Sequence, residues 1–168
     1  MAQQDFNSPQ EFHSKLGLVF NATMALPLLP FVFLFLEIKN NAYTGFIEPG
    51  LPMLAISYGI PILSGLLVVK GFKLVESTRR CAAENEDLKE KLSVYYPGLS
   101  KLYILVGAAC GIMSIGLWLT SSGVIIVAYV ILLFTMSFYR PTPRRYVKDL
   151  HLKDDQKDII LNKKDFKF

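Results

Sequence analysis

The sequence predicts an all-α, polytopic membrane protein with four transmembrane helices and a helical cap on the cytoplasmic side. Hydrophobic residues make up 52% of the 168 residues, and the mean hydropathy is +0.35, which soluble domains of this size rarely reach. Charged residues make up only 19% of the chain and occur in blocks separated by four apolar runs. We find no alternating strand pattern and no internal repeat.

The four apolar runs are the predicted spans. A helix needs about 20 residues to cross the roughly 30 Å hydrocarbon core, and within lipid its backbone amides must be paired internally. The fourth run is short and reaches that length only if Ser121-Ser122-Gly123 lies at the interface. The predicted organisation is a transmembrane domain, residues 1–139, followed by a basic cytoplasmic tail with a short helix, residues 140–168. The transmembrane domain contains a helical cytoplasmic loop at 70–101 and spans at about 16–36, 51–69, 102–120 and 124–139.

The first helix is expected to begin before the membrane. Residues 8–11, Ser-Pro-Gln-Glu, fit a capping box with proline at the first helical position. Phe12 and Leu16 are expected to lie against the lipid headgroups. Further along, Pro27 and Pro30 each remove an amide donor and free the carbonyl four residues earlier. Those carbonyls need donors from a neighbouring helix, a hydroxyl or water.

Small and weakly polar residues form one stripe on each of the first three spans. Such residues at helical spacing let helix backbones approach closely in lipid, so the stripes are predicted to face each other as the bundle interior. The alternative is a cavity for a lipid tail, a quinone or another apolar metabolite between two kinked helices. The packing-or-cavity residues are Asn21, Thr23, Pro27, Pro30, Ser57, Pro61, Ser64, Gly65, Gly107, Gly111 and Ser114.

The basic residues determine the predicted orientation. With four spans, every lysine and arginine except Lys39 falls on the side that holds both termini and loop 70–101. The positive-inside rule therefore places the N-terminus and the C-terminus in the cytoplasm. No Asp, Glu, Lys, Arg or His lies within the four spans, which weighs against pumps, antiporters and proton channels. His13 and His151 lie outside the spans, which weighs against a haem site.

The cytoplasmic segments are expected to carry the interaction surfaces. Loop 70–101 should be a helical protrusion that returns to the membrane through a turn at residues 95–98, Tyr-Tyr-Pro-Gly. Its thin apolar seam, and an apolar patch in the tail, must be buried against each other or against a partner. The predicted docking residues are Leu74, Cys81, Leu88, Leu92, Ile159 and Ile160. Basic residues beside the membrane are also candidates for binding anionic lipid, namely Arg79, Arg80, Arg140, Arg144, Arg145 and Lys148.

The function expected from these features is a non-catalytic accessory, scaffold or assembly subunit. The sequence contains no phosphate-binding loop, metal-spaced cysteine pair or hydrolase motif, so no catalytic residue, cofactor or metal site is predicted. The expected partners are the bilayer and other proteins or further copies of the chain, not nucleic acid. Two alternatives remain open. One is a membrane enzyme or carrier with an arginine-rich site for a lipid or quinone substrate, and the other is an oligomeric pore lined by Thr23, Ser57 and Ser64.

Overall fold

The computed structural model describes Phe6 and residues 8–162, apart from the side chain of Asp154. Over these residues the chain is helical and contains no strand, so the all-α prediction is confirmed. The tail helix is also present, although the predicted segment beyond Asn162 lies outside the described residues. The helices are α1 (Pro9–Lys39), α2 (Leu51–Ala83), α3 (Leu88–Thr120), α4 (Gly123–Phe138), α5 (Pro143–Asp149) and α6 (Asp154–Leu161).

Three of these helices, α1, α2 and α3, are long and apolar enough to cross a membrane. Helix α4 has 16 residues, which corresponds to about 24 Å at 1.5 Å per residue. It qualifies as a fourth span only when it is joined to α5 as one broken helix. These apolar helices are consistent with the predicted multi-pass membrane protein.

The helix starts follow local sequence signals. Ser8 Oγ accepts a hydrogen bond from the Glu11 amide at 3.2 Å, which confirms the predicted cap of α1. At α4, Ser122 Oγ accepts from the Val124 amide at 3.3 Å. The preceding residue, Ser121, has φ 49°, and this left-handed conformation makes the tight reversal between α3 and α4.

The predicted turn at residues 95–98 is wrong, because these residues lie inside α3. The chain reverses instead at residues 84–87, between α2 and α3. The reason is visible at Gly98, where a Cβ atom would lie 2.6 Å from Thr78 Oγ1 on α2. The glycine is therefore required for the close approach of two helices rather than for a turn.

The chain divides into two compact units. The charged unit comprises residues 1–21, 71–103 and 140–168, and the apolar unit comprises residues 22–70 and 104–139. Among the residues that the structure describes, every charged residue except Glu37, Lys39, Glu48 and Lys70 belongs to the charged unit. In α1 the boundary falls after Asn21, five residues beyond the predicted start of the first span.

The charged unit has an aromatic core. Phe12 and Leu16 are 1% and 0% exposed, and the Phe12 ring lies edge-on to Tyr146 of α5 at 5.1 Å between centroids. Phe12 also contacts Phe6 and Tyr96. The prediction that Phe12 and Leu16 lie against lipid headgroups is therefore wrong, because both side chains are enclosed by their own unit.

In the apolar unit, other segments pack around α3. Half of the most apolar stretch of α3 is buried, compared with 6% for α1 and 17% for α2. The loop after α1 folds onto the end of α3, where the amides of Phe46 and Ile47 donate to the Leu119 carbonyl at 2.9 and 3.1 Å. Gly45 has φ +84°, and a Cβ atom there would lie 3.0 Å from Leu119 O. The absence of a Cβ atom therefore allows the loop to approach the end of α3 this closely.

Candidate functional site

One close contact between α1 and α3 involves a proline, a threonine and a glycine. A Cβ atom on Gly107 would lie 2.9 Å from Thr23 Cβ and 3.0 Å from Thr23 O. Pro27 has no amide hydrogen and so cannot donate to the Thr23 carbonyl, which faces Gly107. Further along α3, Ser114 Oγ lies 3.1 Å from the Pro27 carbonyl and 3.0 Å from the Cys110 carbonyl and donates to both in a shared hydrogen bond.

The contact between α2 and α3 uses the same kinds of residue. Ser64 Oγ donates to the Ala109 carbonyl at 3.3 Å. A Cβ atom on Gly116 would lie 2.5 Å from Ile60 Cδ1, so this glycine admits an isoleucine side chain. The weakly polar residues at these positions hydrogen-bond to backbone carbonyls of the neighbouring helix, which is how polar side chains are satisfied inside lipid.

Other residues of the predicted packing-or-cavity set lie elsewhere. Asn21 and Gly65 are exposed and Pro61 is half-buried. Ser57 is buried, and its hydroxyl has no hydrogen-bond partner among the described residues. The structure therefore brings together part of the predicted set and distributes the rest over other faces.

An open groove runs along the surface where α1 and α3 meet. Its volume is about 370 Å³. Nothing lies within 4 Å of the position that a Cβ on Gly111 would take, so the backbone of α3 forms part of the groove wall. We call it the α1–α3 groove, and it is lined by Pro30, Phe33 and Leu34 of α1 and by Gly111, Ser114, Ile115 and Trp118 of α3.

One of the arginines predicted to bind headgroups is used inside the charged unit. Arg145 Nε lies 3.1 Å from Asp149 Oδ2, and their side chains are only 18% and 14% exposed. Tyr95 donates to the same oxygen at 2.6 Å. Burial, together with the neighbouring Asp149 carboxylate, raises the pKa of Tyr95 well above its ordinary value, so the phenol stays a donor.

The remaining basic residues of that set differ in their pairing. Arg79 and Arg80 both pair with Glu76, at 3.2 and 3.1 Å. Arg144 and Lys148 are exposed, as is Arg140 just after α4. Within the described part of the chain, Arg140, Arg144 and Lys148 are the members of this set that are exposed and form no ion pair.

The residues predicted for partner docking separate into buried and accessible ones. Leu88, Leu92 and Ile160 are buried within the charged unit. Leu74 and Ile159 are half-buried and Cys81 is exposed, because the buried side of α2 is displaced by one residue to Val75 and Ala82.

The tail docks onto its own chain, which was one of the two predicted outcomes for its apolar patch. Gln156 of α6 accepts a hydrogen bond from Lys91 Nζ at 3.2 Å and donates to the Glu86 carbonyl at 2.8 Å. Ile160 and Leu92 line the same small cavity of about 190 Å³. Helix α6 therefore packs against the start of α3 and buries Ile160 there.

Several polar contacts of the charged unit have no signal in the sequence. His13 Nδ1 lies 3.1 Å from the Tyr146 hydroxyl, although the two residues are 133 positions apart. The Tyr95–Asp149 contact joins residues 54 positions apart. These pairs depend on the tertiary fold, and neither residue spacing nor composition indicates them.

The described residues contain no cluster of three or more histidine, cysteine or acidic side chains arranged to hold a metal ion. Cys81 and Cys110 are both free thiols, the first exposed and the second buried. In comparisons with known proteins, no family model, curated protein or solved structure matches this chain. Its function must therefore be inferred from the geometry.

Proposed function

We propose that this chain is a non-catalytic subunit or scaffold of a membrane-protein complex. In this proposal the apolar unit crosses the bilayer with four spans, and the charged unit lies in the cytoplasm and binds a protein partner. The observation that carries the proposal is the separation of charge, since all but four charged residues of the described part of the chain belong to one of the two units. The described residues of both terminal segments belong to that unit, and the positive-inside rule supports our proposal that both termini lie in the cytoplasm.

The ends of the apolar unit support this assignment of the spans. Lys70 and Arg140 mark the ends of the second and fourth apolar stretches, and the segment 104–139 contains no charged residue. Helix α4 is short, but about 24 Å of helix crosses a bilayer when the interface is locally thinned. Residues 16–21 are then in the cytoplasmic part of α1, where Leu16 is fully buried.

The polar groups in the interior support a structural rather than a catalytic role. In the apolar unit Ser64 and Ser114 hydrogen-bond to carbonyls of the bundle. In the charged unit Asp149 binds Tyr95 and Arg145. A catalytic group must be free to reach a substrate, whereas these side chains are engaged in holding helices together.

The surface that we propose for docking is the outer face of the charged half of α2. Lys73, Ser77, Arg80 and Cys81 are all exposed there, at the three- and four-residue spacing that places them on one side of a helix, and Glu84 is exposed just after the end of α2. This surface carries both signs of charge, which favours specific and readily reversible association. It replaces Leu88, Leu92 and Ile160 as the predicted partner contact.

Cys81 offers a direct test because it is the exposed one of the two thiols. A photo-crosslinker attached to Cys81 in native membranes should yield one dominant adduct with a second protein, near one-to-one. The charge-reversal variant Arg80→Glu should reduce the yield of this adduct, while Arg144→Glu, on α5, should leave it unchanged. A protein that purifies alone, without adducts and with a bound quinone, would refute the subunit proposal.

The enzyme-or-carrier alternative has weaker support. Its headgroup site needs several free basic side chains, but Arg145 is ion-paired with Asp149, and Arg79 pairs with Glu76. Arg140, Arg144 and Lys148 remain exposed. We propose that these three attract anionic lipid, at about 1 kcal/mol each near the membrane surface, and that they thereby stabilise the orientation.

A further inference from the structure

The α1–α3 groove lies entirely within the apolar unit, and its lining is almost wholly hydrocarbon. Its one hydroxyl belongs to Ser114, which is 5% exposed and already donates to the Pro27 and Cys110 carbonyls. The other lining residues are apolar or aromatic. A ligand in this groove therefore gains contact area and meets a single further side-chain donor, the indole N–H of Trp118.

The small number of donors distinguishes between apolar ligands. The head of a quinone carries two carbonyl oxygens, of which the Trp118 indole N–H can pair with only one, and burying the other without a partner is unfavourable. A hydrocarbon chain carries no such cost, and each methylene that leaves contact with water or fills a void contributes favourably. The lining therefore favours a chain over a polar head.

The rim of the groove also distinguishes a chain from a protein helix. Close helix approach in lipid requires small residues on both edges of the contact. Here the edges carry Phe33 and Trp118, which are 62% and 45% exposed. Trp118 is held in place because the Tyr43 hydroxyl donates to its carbonyl and the Phe46 ring lies edge-on at 4.8 Å. These large rings keep another helix at a distance, while a flexible chain fits between them.

We infer that the α1–α3 groove binds one acyl chain of a bilayer lipid, with Gly111 as the residue that provides the depth. The open position beside Gly111 is the space that the chain fills. Phe33 and Trp118 line it, and with the apolar unit placed in the bilayer as proposed above, the groove opens to lipid. This inference goes beyond the proposed docking role and rests only on that placement of the apolar unit in the membrane.

Trp118 reports on this site directly because it is the single tryptophan of the chain. The full-length protein is reconstituted in phosphatidylcholine vesicles in which an increasing fraction of the lipid carries bromine atoms in mid-chain, and Trp118 emission is measured. Gly111→Leu places a side chain in the groove, and nothing lies within 4 Å of the Cβ position that it adds. Gly65→Leu is the matched control, since Gly65 is equally unobstructed on the exposed face of α2.

We expect the wild type and Gly65→Leu to be quenched at low fractions of brominated lipid and to stay quenched after transfer into unlabelled detergent. Gly111→Leu should lose most of this retained quenching while keeping its helical circular dichroism. Equal retention in Gly111→Leu and the wild type would overturn the inference. So would saturable quenching of Trp118 by a short-chain quinone in unlabelled vesicles, which would show a head-binding site. Loss of quenching when more protein is added per lipid would show that a second copy occupies the groove.

Discussion

Two alanine substitutions on α3, four residues apart, test the packing of the apolar unit. Gly107 meets Thr23 of α1, whereas Gly111 faces open space. Both residues lie in the middle of the same helix, so each gains a similar helix propensity, about 0.5–1 kcal/mol, when it becomes alanine. Any difference in stability between the two variants therefore measures the contact with α1.

The size of that difference follows from the geometry. The new Cβ at residue 107 would lie 2.9 Å from Thr23 Cβ, whereas carbon atoms in contact prefer about 3.5–4.0 Å. The atoms must separate by at least about 0.6 Å. Thr23 O and Thr23 Cα are also within 3.4 Å, so a side-chain rotation does not relieve the clash and α1 itself must move. Overpacking of this kind costs about 1–3 kcal/mol.

The assay is reversible unfolding by SDS in mixed micelles, followed by helical circular dichroism. Gly107→Ala should unfold at a lower SDS fraction than the wild type or Gly111→Ala, with a gap of about 1–3 kcal/mol between the two variants. Gly111→Ala should be at least as stable as the wild type. Identical unfolding midpoints for the two variants would show that α1 and α3 do not meet at Gly107, and the described packing would be incorrect.

Three further substitutions test individual polar contacts. Ser114→Ala removes the hydrogen bond to the Pro27 carbonyl and should cost about 0.6–1.5 kcal/mol in the same SDS titration; a neutral result would mean that this bond contributes nothing. Asp149→Ala removes the carboxylate that Arg145 and Tyr95 share and should cost roughly 3 kcal/mol, seen as earlier thermal unfolding, whereas an unchanged midpoint would show that this contact contributes nothing. Tyr95 has a pKa raised above its ordinary 10.0 by burial and by Asp149. The neutral phenol therefore stabilises the fold below pH 10, and this stabilisation is lost as the pH rises further. Tyr95→Phe should reduce the loss of unfolding free energy with pH above pH 10. An equal pH dependence of stability in both proteins would contradict a buried Tyr95 phenol.

The apolar helices could be predicted from the sequence because hydrophobic length is a local property. The start of α1 was also predictable, since Ser8 and Glu11 lie within one turn and their hydrogen bond forms without tertiary contacts. The first span was predicted to begin at residue 16, but the division into units falls after Asn21. Leu16 is buried in the charged unit. An apolar residue in the sequence is compatible both with burial in a protein core and with contact with lipid, so composition does not distinguish the two.

Two other features required the tertiary structure. Pro97-Gly98 is typical of a turn, yet Gly98 is needed for the approach of Thr78, a contact between residues twenty positions apart. The apolar seam of α2 was predicted through Leu74 and Cys81, but its buried side lies one residue further on, at Val75 and Ala82. Because few apolar residues mark the buried side of α2, the sequence does not determine which of two adjacent residues faces inward. The neighbouring helix determines it.

The same limit applies to the arginines and to the groove. A basic cluster beside a span predicts the orientation, but it does not reveal that Arg145 turns towards Asp149 while Arg144 stays exposed. The small residues of α3 likewise predict close packing without showing which of them has a neighbour. Gly107 has one and Gly111 does not, and this difference depends on the path of α1 past its prolines.

The most direct test of the proposed arrangement is the side of the membrane on which Cys81 lies. A membrane-impermeant maleimide should leave Cys81 unmodified in intact cells and label it in inside-out vesicles, since the exposed thiol belongs to the charged unit. With Cys81 replaced by serine, Thr44→Cys in the exposed loop after α1 should show the opposite pattern. Labelling of Cys81 in intact cells, with protection of Thr44→Cys, would place the charged unit outside the cell and contradict the proposed cytoplasmic docking surface.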